Sequence, residues 1–288
     1  MDLNLKGFFT KDTLIRYLKG LPPLKTPVID SVFTNRPNHP LPFVGEDMLK
    51  AVVRAMPVVR RGAPSIPATK ETGTTAMYEP LPIRPNVTVT GVELNNLKLL
   101  GQSSKETWAQ NKTDHLRRIV RATTEAIAAG SLSGSIVWPV QLDGGGWESW
   151  EINYGTPAEI TPVKLWDASN AGIKDVFETL DAMKEAIEDN GYGDIVFWAG
   201  KKAYSTLLIL AEAFKSTANM NVRVTDKGID IAGFFIQRRS ERYRNPQTGT
   251  MTPTVADNEI KAIAMDAGHL MPYCAVDDLD ANLQAMPL

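Results

Sequence analysis

The chain carries little with which to do chemistry. Its 288 residues include one cysteine and three histidines. A lone thiol, Cys274, excludes an internal disulfide framework and fits a reducing cytoplasm. His39, His115 and His269 stand far apart, and none has a histidine or cysteine at metal-ligand spacing. Each reads as a solvated or structural side chain. An excess of either charge is also missing: 31 basic residues face 33 acidic ones, a net charge of -2. A dedicated nucleic-acid binder usually carries a basic surplus, so no tight grip on DNA is implied. No apolar run approaches the roughly 20 residues that cross a bilayer. The start, Met1-Asp2-Leu3-Asn4-Leu5-Lys6, has no basic region followed by an apolar stretch, which argues against secretion.

Catalytic signatures are absent as well. Gly200-Lys201 lacks the earlier glycine of a phosphate cradle, and Lys202 stands where a hydroxyl residue belongs. Gly130-Ser131-Leu132-Ser133-Gly134 holds Leu132 where a nucleophile elbow holds serine. Asp277, Asp278 and Asp280 lack the glycine and further spaced ligands of a calcium loop, so a solvated acidic loop is expected. Cys274 sits in an apolar setting beside Tyr273 with no base nearby, which suits packing. The expectation is a protein that is not an enzyme and takes no cofactor or metal.

What is present is a core-forming composition, 43% hydrophobic and 22% charged, distributed unevenly. Twelve of the 19 prolines fall between Pro22 and Pro85. Proline removes a donor and fixes φ, so this stretch resists long helices and central strands. Only short helices are expected up to its end, at 11–18 just before it and at 45–55 within it, the latter with Met48, Val52 and Val53 at helical spacing. Two β-prone arms, Pro57-Val58-Val59-Arg60-Arg61-Gly62 and Pro85-Asn86-Val87-Thr88-Val89-Thr90, flank a polar tip around Lys70 and Glu71. They predict a long hairpin too poor in apolar residues to pack on its own core. Its residues Val58, Val59, Arg60, Arg61, Lys70, Glu71, Met77, Tyr78 and Arg84 are candidates for contact with another subunit.

Beyond it the periods are clearer. A helix is expected over 105–129, capped by Ser103 or Ser104, with Trp108, Leu116, Ile119, Val120 and Ile127 on one stripe and Gly130 as a stop. Asp143-Gly144-Gly145-Gly146 between two β-prone segments predicts a hairpin. Ile173, Val176, Phe177, Leu180, Met183 and Ile187 predict a second amphipathic helix that ends at Asn190-Gly191. A strand at 194–198, a helix at 202–214, and strands at 222–224, 229–237 and 260–265 complete an α+β chain. Arg238-Arg239-Ser240-Glu241-Arg242-Tyr243-Arg244 is the one basic run. Arg238, Arg239, Arg242 and Arg244 are candidates for phosphate contact, against a solvated strand end or an inter-subunit ion pair.

The order of these pieces resembles the lambda-type major capsid proteins of tailed bacteriophages, the major capsid protein E family, which share the Hong Kong 97-type fold. The segments at 57–62 and 85–90 look like that family's extended loop, and 105–129 is similar to its spine helix. The strand and helix at 194–214 resemble its axial domain, as do Val224-Thr225-Asp226-Lys227-Gly228-Ile229-Asp230-Ile231-Ala232-Gly233 and the stretch 255–268. The resemblance implies an N-terminal arm (1–55), an extended loop (56–92), a peripheral domain with the spine helix (93–170), and an axial domain with the C-terminal region (171–288). It further implies hexamers and pentamers of this chain in an icosahedral shell, found in the virion and assembled in the host cytoplasm. Separate scaffold, maturation protease and portal partners follow from it, with packaged DNA touched only non-specifically and no membrane contact. Relatives continue past the acidic stretch with a further strand, which is not apparent before Leu288. An encapsulin-like nanocompartment subunit and a phage tail-tube protein are the alternatives.

Overall fold

A computed structural model of the chain describes residues 5–45, 77–215 and 220–275. Two compact units emerge, one built from Met1–Val32 with Ile83–His269 and the other from Phe33–Pro82 with Leu270–Leu288.

The larger unit opens with a 3-10 turn at Lys6–Phe8 and helix α1 (Lys11–Gly20), where the Thr10 hydroxyl accepts from the Thr13 amide at 3.3 Å. Helix α2 (Pro27–Ser31) starts on a proline, whose missing N–H costs nothing in a first turn. Helix α3 (Gly91–Lys98) is capped by the Thr90 hydroxyl, and helix α4 (Gln102–Ser131) follows after Gly101. Thirty residues give α4 a length of about 45 Å. It is the expected long helix, extended at both ends: Gly101 is the N-cap in place of Ser103 or Ser104, and Gly130 lies inside the last turn.

Its packing stripe also departs from the expected one. The buried residues are Ala109, Thr113, Ala126, Ala128 and Ala129, whereas Ile119 is 37% exposed. Helices α1 and α2 and the first strand of a hairpin all lean on α4. Close approach of backbones selects small side chains for the contact line and moves the larger apolar residues to its flanks.

That hairpin pairs strands β4 (Ser135–Gln141) and β5 (Trp147–Asn153), with Gly145 at φ 84 in the turn. Helix α5 (Ile173–Glu188) begins at Gly172, whose amide donates to the Asp175 carboxylate at 2.8 Å. A five-stranded sheet follows, in the order β12 (Ile260–Ala264), β6 (Ile195–Ala199), β9 (Phe234–Arg238), β8 (Ile229–Ile231), β7 (Val222–Val224). Strands β6 and β9 run parallel and the other neighbours antiparallel. The single strand expected at 229–237 is broken in two by Ala232 and Gly233, both at positive φ.

Helix α5 and helix α6 (Lys201–Ala213) bury Ile173, Val176, Leu180, Tyr204 and Leu207 against Phe197, Ile229, Ile231, Phe234 and Ile236 of the sheet. Phe234 receives the edges of Phe177 and Phe197 at centroid distances of 5.4 and 5.6 Å. Trp198, 1% exposed, occupies the opposite face from Phe197, since neighbours on a strand point to opposite sides. A short ribbon of β10 (Arg242–Arg244) and β11 (Met251–Pro253) spans the polar loop.

In the smaller unit β1 (Asn38–His39) runs parallel to β13 (Tyr273–Cys274), and β2 (Val44–Gly45) pairs with β3 (Met77–Tyr78). The helix expected at 45–55 begins on a residue that is in strand β2; the rest of it lies outside the described residues.

Candidate contact surfaces

The sequence-derived contact residues divide into three groups. Val58, Val59, Arg60, Arg61, Lys70 and Glu71 lie outside the described residues, as do Asp277, Asp278 and Asp280. Met77 and Tyr78 form β3, with Met77 projecting into solvent and Tyr78 half-buried opposite Val44. Arg84 is exposed on the segment that leads toward α3.

The arginines of the basic run are largely occupied within the chain. Arg239 lies flat on Trp198, 4.1 Å from the ring centre, with Glu241 at 3.6 Å. Arg242 makes a two-pronged contact with Asp257 at 2.9 and 3.0 Å. Arg244 donates to the Gly249 carbonyl at 3.2 Å. Arg238 is exposed, as are Arg242 and Arg244, and lies close enough to Tyr204 for its charge to act on the phenol. Three of the four thus make contacts within the sheet and ribbon.

Charged residues that no motif singles out do the fastening. Glu125 of α4 is half-buried and receives the first free amides of α2, Val28 at 2.7 Å and Ile29 at 3.1 Å. Burial raises its carboxyl above the ordinary range, the two amides pull it back, and Asp30 and Glu241 push it up again. Arg117 reaches the Pro22 carbonyl at 2.7 Å and the Asp114 carboxylate at 3.1 Å. Asp114 also meets Arg118 at 2.6 Å, as its spacing predicts.

At the N-terminal end of α4, Glu93 of α3 accepts from the Trp108 indole at 2.7 Å and pairs with Lys112 at 2.8 Å. Lys112 and then Trp108 hold its carboxyl below the ordinary range. At the other end, the Lys261 ammonium of β12 donates to the Leu132 carbonyl at 3.3 Å and the Ser133 hydroxyl at 2.6 Å. Burial lowers its pKa, with Glu259 opposing the shift.

Two extended stretches are unusual. Between β5 and α5, Pro162, Lys164 and Trp166 turn inward while Val163 and Leu165 face solvent. Lys164 is held inside by Asp175 at 3.2 Å and the Asn170 carbonyl at 3.1 Å. Residues 83–90 alternate strictly between half-buried and exposed, as a strand does, yet belong to no sheet.

His39 sits in β1, His115 is exposed on α4, and His269 bonds the Ala264 carbonyl at 2.7 Å. The Cys274 thiol is pushed up by burial. Among the described residues no group of three acidic, histidine or cysteine side chains could hold a metal ion, and no helix is long and apolar enough to cross a membrane. Sequence reasoning passed over Glu125, Glu93 and Lys261, because each acts on a group far away along the chain.

Comparison with known proteins yields one family. A family model described as phage major capsid protein E matches residues 10–288. No curated protein matches the chain.

Proposed function

The chain belongs to the phage major capsid protein E family and is a major capsid protein of a phage, and we propose that it adopts the Hong Kong 97-type fold and closes into an icosahedral shell of hexamers and pentamers. The observation that carries this reading is the family match across nearly the whole chain, joined by an order of elements that suits it. In this reading α4 is the spine helix and the sheet with α5 and α6 the axial domain. The proline-rich start is the arm, β4 and β5 with α4 form the peripheral domain, and the loop at 56–92 reaches over a neighbouring copy. The role is structural; the only chemistry asked of the chain is recognition of its own copies.

Separate scaffold, maturation protease and portal proteins would act with it, with assembly in the host cytoplasm and non-specific contact with packaged DNA. The even charge balance fits a shell that encloses a genome without gripping it. Individual contacts are weak, and a closed lattice multiplies them.

Electron microscopy of particles made alongside the neighbouring phage genes tests the proposal. Closed icosahedral shells are expected, and rings or tubes would overturn it. Deletion of residues 64–82 should leave a folded subunit that builds no shell.

A further inference from the structure

Strand β12 has an open side. Its pairing with β6 is framed by the Gly200 amide on the Glu259 carbonyl and the Met265 amide on the Asp194 carbonyl. Antiparallel pairing alternates, so Lys261 and Ile263 direct their backbone groups at β6 while Ile260 and Ala262 direct theirs outward. The outward side lines an open cleft of about 1130 Å³. Among the described residues nothing bonds the outward amides and carbonyls of Ile260 and Ala262.

The free sides of the β4–β5 hairpin and of β7 are guarded. In the hairpin, the Tyr154 amide on the Gly134 carbonyl and the Leu142 amide on the Gly146 carbonyl set the same alternation. Pro139 therefore falls on the outer side of β4, where its missing N–H breaks the row of donors. Glu148 and Glu151 flank the outer side of β5. Strand β7 is three residues long and carries Arg223 at its centre. In β12 the only charge is Lys261, and its ammonium is tied to Leu132 and Ser133 on the wall of the same cleft. An unguarded sheet edge is a template for another strand.

A strand without a sheet is also present. Ile83, Pro85, Val87 and Val89 face inward, and Arg84, Asn86, Thr88 and Thr90 face out. Residues two apart share one backbone side, so the proline burdens the inward set's side and leaves that of Asn86 and Thr88 complete. Among the described residues nothing bonds the backbone groups of Asn86 or Thr88.

The two cannot meet within one copy. Thr88 is five residues from Glu93, which is fastened to Trp108, and five extended residues span at most about 17 Å. Strand β12 is fastened to Leu132, about 36 Å further along the same helix.

We propose that Asn86 and Thr88 of one copy pair with Ile260 and Ala262 of a second copy, adding a sixth strand to its sheet. Such a contact joins unlike surfaces and so propagates head to tail, closing only in a ring or lattice. The inference rests on the shell reading and deepens it by naming one of the contacts.

Two proline substitutions and one cross-link test it. Ala262→Pro removes an outward N–H and Thr88→Pro a free one, so neither breaks an existing hydrogen bond, and both variants keep the parent's circular dichroism. Particle yield falls by roughly tenfold or more in each, because the loss repeats at every copy. In a Cys274→Ser background, the double variant Thr88→Cys/Ala262→Cys in oxidised particles gives a ladder of covalent dimers and higher multimers. Normal particle yield from both proline variants, or particles with no ladder, would overturn the inference while leaving the shell reading intact. If the parent itself forms no particles under the same conditions, the shell reading falls and this contact with it.

Discussion

The Glu125 carboxylate accepts the Val28 amide at 2.7 Å across 97 positions of chain, and the Ile29 amide at 3.1 Å beside it. One side chain of the long helix thereby caps a helix of the N-terminal segment. Removing it leaves the amides of two buried residues unpaired. Glu125→Ala is expected to cost about 1–3 kcal/mol of unfolding free energy, the range for leaving a buried donor unsatisfied. Denaturant titration checks it, and a loss indistinguishable from zero would show that water replaces the cap.

The same group has a pH signature. Burial raises its folded-state pKa above the ordinary 4.5, so the charged form is the penalised one. Its contribution to stability is greatest below the ordinary carboxylate value and declines as pH rises toward the folded value. Glu125→Gln removes that dependence. The stability difference between wild type and Glu125→Gln should therefore change through the mildly acidic range and level off above it, as followed by melting temperature.

Glu93 works in the opposite sense. Lys112 and Trp108 lower its pKa below the ordinary 4.5, so its contribution is complete above that value and is lost as pH falls through the lower folded value. Acidification, or Glu93→Ala at neutral pH, frees the Trp108 indole. A change in tryptophan emission is expected in both cases, and the acid-induced part of it should be missing from Glu93→Ala.

Leu180 is fully buried between α5 and the sheet. Leu180→Ala removes packed volume from a rigid wall and is expected to cost about 2–5 kcal/mol. Calorimetry should show a lowered melting temperature and an unchanged fold.

Gly200 turns the chain from β6 into α6 hard against another strand connection. A Cβ there would collide with the Ala256 carbonyl and press on Asp257, both backbone, so neither can swing aside. Gly200→Ala should lower stability by more than about 1 kcal/mol, unlike the same change at Gly130, whose Cβ direction is open. Equal melting temperatures for the two variants would contradict the close approach.

Periodic signals explain what could be seen in the sequence. The stripe from Ile173 to Ile187 and the glycines at 144–146 act through neighbours a few residues away, so α5 and the β4–β5 hairpin were legible. The stripe on α4 was misjudged because large apolar residues were taken to mark the buried face, whereas alanines mark it where helices approach closely. Strands of two residues, such as β1 on β13, carry no period at all and depend on segments over 230 positions apart. The contact residues follow from the predicted hairpin and the basic run, both marked by residue type. Arg239 and Arg242 also have partners inside the chain, whereas Ile260 and Ala262 offer backbone groups that no residue type marks.

Pro139 bears on how such a polypeptide survives its own synthesis. A solitary ribbon exposed on both flanks is a ready seed for fibrils when copies crowd together. Interrupting one of its two equal flanks means that chance encounters between fresh copies meet a missing donor there before the zipper runs its length. Crowding then favours reversible collisions over insoluble ribbons, and the pool of newly made copies stays available for ordered growth.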